Sequence, residues 1–211
     1  MILADLHTHT KYCDGLNTVE EMVQAAIKRG MQCIGFSGHS YTPFDLRYCI
    51  KDTEGYRNEI MAMKEKYKDQ IEILCGLEVD RFAPVPDKNQ FDYFIGSVHY
   101  VKFGEEYIPV DEGAENLVRA AEEYCGGDIY TVVENYFAQT AEAVRRCDAK
   151  IIGHFDVLAK YQEIMPVFDE THPRYVAAYR KAMDELLALN KVFEVNVGAI
   201  SRGKRTTPYP S

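Results

Sequence analysis

"ILADLH" (residues 2–7) is an apolar run typical of a strand, and "TVEEMVQAAIKRG" (residues 18–30) has the period of a helix. In the second stretch Thr18 and Glu21 form a capping-box pattern, and Gly30 is a typical helix stop. We therefore predict a strand followed by a helix.

The same alternation continues along the chain. Further strands are predicted at residues 33–39, 71–80, 91–99, 149–155 and 191–197. Further helices are predicted near residues 53–68, 113–125, 128–147 and 172–190. Strands without polar alternation are typical of a parallel sheet covered by helices, so an α/β barrel or a doubly wound sheet is favoured. We expect residues 1–211 to form a single domain.

Composition narrows the function classes. With 46% hydrophobic and 27% charged residues, the chain has the composition of an ordinary globular protein. A net charge of -9 argues against a nucleic-acid or membrane surface, both of which need clustered positive charge. There is no secretory signal pattern and no apolar run long enough to span a bilayer, so we expect a cytoplasmic protein. The six scattered cysteines are predicted to be free thiols.

Side chains that can bind metals fall at the ends of the predicted strands. His7 and His9 end the first strand, and residues two apart on a strand point to the same side. The later strands end with His39, Glu78, His99 and His154. Because the carboxyl ends of parallel barrel strands meet on one face, five of the six histidines are expected to converge.

Each of these histidines could instead be an ordinary hydrogen-bonded residue. Convergence favours a metal site, because every buried imidazole needs a partner to offset desolvation. Imidazoles with carboxylates suit zinc, manganese or iron, and a carboxylate such as Glu78 can bridge two ions. His172, which precedes Pro173 at a predicted helix start, is expected to be a surface residue.

Six stretches together resemble the PHP (polymerase and histidinol phosphatase) superfamily and, within it, the monofunctional histidinol-phosphate phosphatases. They are "DLHTHTKYCDG", "FSGHS", "GLEVD", "GSVHY", "IIGHFD" and "NVGAISRG". The resemblance implies a distorted (β/α)7 TIM-like barrel that holds two to three divalent metals (zinc, manganese or iron). It also implies hydrolysis of a small phosphorylated metabolite, L-histidinol phosphate, in histidine biosynthesis.

The resemblance also implies a set of metal ligands. The first metal would be held by His7, His9 and bridging Glu78, and the second by Glu78, His99 and His154. The third would be held by Asp14 and His39, although "CDG" could instead be a plain turn.

Several residues are candidates for contacts with substrate. Arg202 in "ISRG" is the first candidate for the phosphate, because a guanidinium can donate two parallel hydrogen bonds to phosphate oxygens. Lys160 and Arg47 are alternatives, and each could instead be a solvated surface cation. Asp156 could orient His154, protonate the leaving alkoxide or cap the next helix.

The family has one more strand, with an aspartate and a histidine, that residues 1–211 do not contain. The missing strand could lie in a tail beyond Ser211, be absent from a shortened relative, or be replaced by a second subunit. We therefore expect incomplete metal loading or a homodimer. Two other functions stay open, a PHP phosphoesterase acting on another monoester or a phosphodiester, and a metal-binding domain without catalysis.

Overall fold

Parallel strands and flanking helices build the first of two units in the computed structural model, which describes residues 3–211. Among the described residues, this unit spans 3–95. Its elements are β1 (Ala4–Thr8), α1 (Val19–Lys28), β2 (Cys33–Phe36), α2 (Thr53–Lys66), β3 (Glu72–Asp80), a 3₁₀ turn (Lys88–Gln90) and β4 (Tyr93–Ser97), whose last residues belong to the second unit.

The strands of the first unit lie in the order β1, β2, β3, β4. β1 pairs with β2 and β2 with β3 in parallel, with Ala4 opposite Cys33 and Ile34 opposite Ile73. All four residues of β2 are buried, as expected for a strand covered on both faces. This arrangement confirms the parallel sheet predicted from the apolar runs.

The capping box predicted at the start of α1 is present. The backbone amide of Glu21 donates to Thr18 Oγ1 (3.2 Å), and the Thr18 amide donates to Glu21 Oε2 (2.8 Å). Gly30 follows the helix with φ of +71°, a conformation that favours glycine. Local sequence therefore fixes both ends of α1.

The second unit spans Gly96–Ser211. Its elements are β5 (Tyr100–Phe103), β6 (Glu106–Pro109), α3 (Ala114–Tyr124), α4 (Ile129–Cys147), β7 (Ile151–Ile152), a 3₁₀ turn (Val157–Ala159), α5 (Pro173–Ala188), β8 (Val192–Phe193) and α6 (Gly198–Ser201). β7 and β8 form a parallel pair, and the Gly153 amide donates to the carbonyl of Gly96 at the end of β4. Phe137 of α4 packs against Tyr175 and Tyr179 of α5.

A hairpin and a short helix of the second unit were not predicted. β5 and β6 form an antiparallel hairpin whose two-residue turn begins at Gly104, with φ of +58°. The short helix is α6. β7 and β8 are two residues each, shorter than the predicted strands at 149–155 and 191–197.

His172 caps α5, in agreement with its predicted place at a helix start. Its Nδ1 accepts a hydrogen bond from the Arg174 amide (3.2 Å), and its ring stacks on Tyr130. Among residues 3–211, none of the helices combines the length and apolar composition needed to cross a bilayer. All six cysteines are thiols, and burial raises the pKa of Cys75 to about 12.

Candidate metal centre

In the first unit the predicted ligands sit at the carboxyl ends of three neighbouring strands. His7 belongs to β1 and His9 follows it directly. His39 follows β2 and forms an isolated parallel bridge with Glu78 of β3. The Glu78 amide donates to the Gly38 carbonyl (3.1 Å), and the Ser40 amide donates to the Glu78 carbonyl (2.8 Å). Backbone pairing therefore holds His39 and Glu78 side by side.

Three imidazoles converge on one carboxylate oxygen. Glu78 is 1% exposed, and its Oε2 lies 3.2 Å from Nε2 of His7 and 3.4 Å from Nε2 of His9. The same oxygen lies 3.0 Å from Nδ1 of His39. Side chains from three strands thus meet at a buried carboxylate.

A second carboxylate reaches the far side of two of these rings. Asp14 Oδ1 lies 2.7 Å from Nδ1 of His9, and Asp14 Oδ2 lies 3.8 Å from Nε2 of His39. His9 therefore faces Glu78 with one ring nitrogen and Asp14 with the other. Asp14, predicted with the alternative of a plain turn, is both part of a turn and a member of the cluster.

The loop that carries Asp14 explains the glycine after it. The amides of Cys13 and Gly15 both donate to the carbonyl of Thr10, which folds the loop back on the end of β1. A Cβ at Gly15 would lie 2.5 Å from the carbonyl carbon of His9. Only glycine permits this close approach, so "CDG" brings a carboxylate back to the histidines.

The charges in this cluster compensate one another. Burial alone would lower the pKa of His9, but its contacts with Asp14, Cys13 and Glu78 outweigh burial and raise that pKa well above its usual value. Burial alone would raise the pKa of Asp14, but His39 and His9 hold it well below its usual range. His9 and Asp14 therefore stabilise each other's charged forms.

The donor set fits a divalent transition metal. Ligand atoms about 2.1 Å from a tetrahedral ion lie about 3.4 Å from one another, close to the separations between the imidazole nitrogens and Glu78. His9, Asp14 and His39 also offer three ligand atoms within 4.8 Å of one another. Imidazole and carboxylate donors suit zinc, manganese or iron.

The second unit contains the other two predicted histidine ligands. His99 follows β4 and His154 follows β7, and both are buried. Their Nε2 atoms lie 3.2 Å apart. The backbone amide of His154 donates to the carboxylate of Glu194, which fixes the chain as it leaves β7.

Sequence reasoning missed Asp111, which lies beside this histidine pair. The Val110 amide donates to the His99 carbonyl (2.9 Å), so the hairpin returns the chain to His99. Burial would raise the pKa of Asp111, but His99, Lys160 and His154 outweigh burial and lower it. The signal was the alternation in "YVKFGEEYIPV" around a Gly-Glu turn.

Asp156 is fully buried and lies two residues after His154. It precedes the 3₁₀ turn but its side chain makes no capping hydrogen bond. Instead, Oδ2 accepts hydrogen bonds from the amide (2.9 Å) and the hydroxyl of Ser211. Within residues 3–211, Oδ1 has no hydrogen-bond partner.

The three predicted cations differ in their surroundings. Arg47 is 69% exposed at its side chain and pairs with Asp45, an arrangement typical of a surface ion pair. Arg202 is exposed at the end of α6. Lys160 is largely buried, and its Nζ donates to the backbone oxygen of Asp111 (2.8 Å) and to Asp111 Oδ2 (3.2 Å).

The buried arginine of the segment after α6 is Arg205, which was not predicted. It is 6% exposed, and its guanidinium donates to the Ala159 carbonyl and to Thr207 Oγ1, both at 3.0 Å. Sequence alone did not distinguish it from Arg202, because both follow the same short helix.

Curated proteins and solved structures similar to this chain agree with the resemblance. "Probable histidinol-phosphatase" of Schizosaccharomyces pombe is 27% identical over 230 residues, covering 97% of this chain and 72% of that protein. "Histidinol-phosphatase" of Bacillus subtilis is 28% identical over 194 residues, covering 81% of this chain and 72% of that protein.

Two crystal structures share the fold. HisK from Listeria monocytogenes superposes with a TM-score of 0.77 at 19% identity, covering 98% of this chain and 87% of that one. Histidinol phosphate phosphatase from Lactococcus lactis, complexed with zinc, L-histidinol and phosphate, gives a TM-score of 0.60 at 24% identity, covering 95% and 75%. The predicted α/β fold of the PHP type is confirmed.

The family itself is shown by a sequence profile. The profile of the PHP domain matches residues 5–198, which is most of the chain and includes every predicted metal ligand. The chain belongs to the PHP-domain family.

Proposed function

We propose that this protein is a metal-dependent phosphatase that hydrolyses L-histidinol phosphate to L-histidinol and phosphate. The observation that carries the proposal is the convergence of His7, His9 and His39 on Glu78 Oε2, at 3.0 to 3.4 Å. Curated relatives with histidinol-phosphatase names support the substrate. The substrate is a small phosphorylated metabolite.

We assign metal ligands in both units. In the first unit they are His7, His9, Asp14, His39 and Glu78. In the second unit they are His99 and His154. Two to three ions of zinc, manganese or iron would, when bound, supply Lewis acidity toward phosphate oxygens and a water of lowered pKa.

Side chains of the protein hold the metal ligands in place and contact the phosphate. The buried carboxylate of Glu78 and the pairing of β2 with β3 fix the imidazoles before substrate arrives, so little reorganisation is needed during reaction. Lys160 is our favoured contact to the phosphate, because its ammonium is held beside Asp111 rather than free in solvent. Arg202 and Arg47 stay alternatives at exposed positions.

Asp156 is our candidate for the proton of the leaving alkoxide. Its Oδ2 accepts from Ser211, whereas its buried Oδ1 has no partner within residues 3–211. A carboxylate oriented in this way can pass a proton or hold the ring of His154. Asp156→Asn is expected to lower kcat more than it raises KM, because the asparagine keeps the shape but cannot transfer the proton.

The substrate test is phosphate release by the manganese- or zinc-loaded protein from histidinol phosphate, beside a panel of other monoesters and diesters. We expect clear preference for histidinol phosphate. Equal rates on all monoesters, or preference for a diester, would replace the substrate assignment but keep the hydrolytic centre. If the metal-loaded protein hydrolyses no phosphoester, the proposed phosphatase function is wrong and a metal-binding domain without catalysis is favoured.

Three further assignments are proposals of the same kind. A homodimer would give twice the mass of the chain in light scattering. A cytoplasmic location fits an enzyme of amino-acid biosynthesis. The net charge of -9 supports a partner other than nucleic acid.

A further inference from the structure

Lys160 is held at two points by a single residue. Its Nζ donates to the backbone oxygen of Asp111 (2.8 Å) and to Asp111 Oδ2 (3.2 Å), and its side chain is 15% exposed. A lysine side chain has four rotatable bonds, so an ammonium without such anchors samples many positions. Asp111 therefore selects one position for this charge.

The hairpin brings Asp111 to this place. In the β5–β6 register Tyr100 lies opposite Pro109, and the next residues outward, His99 and Val110, are joined by the Val110 amide and the His99 carbonyl. Asp111 follows directly. His99 in turn contacts His154 through the two Nε2 atoms, 3.2 Å apart. The anchored ammonium and the histidine pair are thus tied to the same stretch of backbone.

We propose that Asp111 is a positioning residue, which holds the ammonium of Lys160 beside the His99–His154 pair so that it meets the phosphate group of the substrate. The proposal rests on the proposed phosphatase function. Asp111 acts through Lys160 and need not touch the substrate. An ammonium already fixed in place can meet the phosphate without first losing side-chain freedom.

A double-mutant cycle tests this role. Asp111→Asn, Lys160→Met and the double variant are compared in the metal-loaded enzyme by kcat, KM and the Kd of inorganic phosphate from calorimetry. Asp111→Asn is nearly isosteric and keeps a neutral oxygen that can accept from Lys160. That hydrogen bond is weaker than the one to the carboxylate, because hydrogen bonds between charged groups are about twice as strong as neutral ones. We expect it to lower kcat/KM about 5- to 10-fold and to weaken phosphate binding similarly, with metal content and Tm unchanged.

The decisive quantity is the coupling between the two sites. In the Lys160→Met background, Asp111→Asn is expected to change kcat/KM and phosphate Kd less than about twofold, because the group that it positions is gone. Asp111→Ala, which removes the side-chain acceptor, should give a larger loss that also disappears in that background. The matched control is Asp148→Asn, which alters an aspartate–lysine pair with Lys191 on the surface (2.9 Å) and should change neither quantity.

Two results would overturn the proposal. The first is an Asp111→Asn effect of equal size with and without Lys160, which would mean that the carboxylate acts on the histidines or their metals directly. The second is an Asp111→Asn enzyme equal to wild type. The phosphate Kd distinguishes failure of the positioning role from failure of the proposed phosphatase function. Coupling between the two sites in phosphate binding, without hydrolysis of histidinol phosphate, would contradict the phosphatase function and leave the role of Asp111 intact.

Discussion

Replacing Glu78 by glutamine tests the centre of the first unit with the smallest change in shape. The substitution removes one negative charge from the oxygen that lies 3.0 to 3.4 Å from three imidazole nitrogens. Because Glu78 is 1% exposed, water has no room to take over the contact. The loss of one charged contact is worth about 1.5 to 3 kcal/mol, so metal binding should weaken about 10- to 150-fold.

The assay is competition for zinc or manganese between the metal-free protein and a chelator of known affinity. Glu59→Gln is the matched control, because Glu59 accepts a hydrogen bond from Tyr12 (2.8 Å) outside the cluster and should leave metal affinity unchanged. If Glu78→Gln binds metal as tightly as wild type while the control also does, Glu78 is not a ligand and the proposed centre is wrong.

Three further predictions concern the same cluster. His9→Ala should abolish phosphate release while the protein still folds, whereas His172→Ala, at the start of α5, should leave turnover unchanged; a fully active His9→Ala enzyme would contradict its ligand role. Metal uptake near pH 7 should release protons, because the raised pKa of His9 keeps a proton on the metal-free imidazole that a metal ligand must lose. The apparent metal affinity should therefore rise with pH up to that pKa. Calorimetry in buffers of different ionisation enthalpy measures the proton release, and a binding enthalpy independent of the buffer would refute the prediction. Gly15→Ala should destabilise the metal-free protein by about 1 to 3 kcal/mol and weaken metal binding, because its Cβ would meet the His9 backbone at 2.5 Å. In the control Gly30→Ala nothing lies within 4 Å of the added Cβ, so this change should alter stability in urea but not metal affinity. Equal metal affinities in wild type and both variants would show that the loop does not position Asp14.

Local signals predicted most of the fold. The helix α1, with its capping box of Thr18 and Glu21, and the strands β1 to β4 were predicted because each depends on residues that are close together in sequence. The predicted strands at 149–155 and 191–197 were too long, because an apolar run does not specify how many backbone groups find a pairing partner. In the second case Val195 and Val197 are more than half exposed.

The positions of the histidines and Glu78 at strand ends were also predictable, because the end of a parallel strand is a position that sequence reveals. Asp111 was missed because the hairpin signal around Gly104, which returns the chain to His99, was not recognised. Arg205 was missed because its burial depends on the Ala159 carbonyl, 46 residues away in sequence. Contacts made across long sequence separations carry no local signal.

We propose that the buried histidine–carboxylate centre makes this chain a metal-dependent histidinol-phosphate phosphatase. The most direct measurement is phosphate release from L-histidinol phosphate by metal-free protein during stepwise addition of manganese or zinc. We predict negligible release without metal, a rise that saturates at a whole number of ions per chain, and loss of activity on adding chelator. Metal bound in that ratio without phosphate release, or release that persists in the metal-free protein, would contradict the claim.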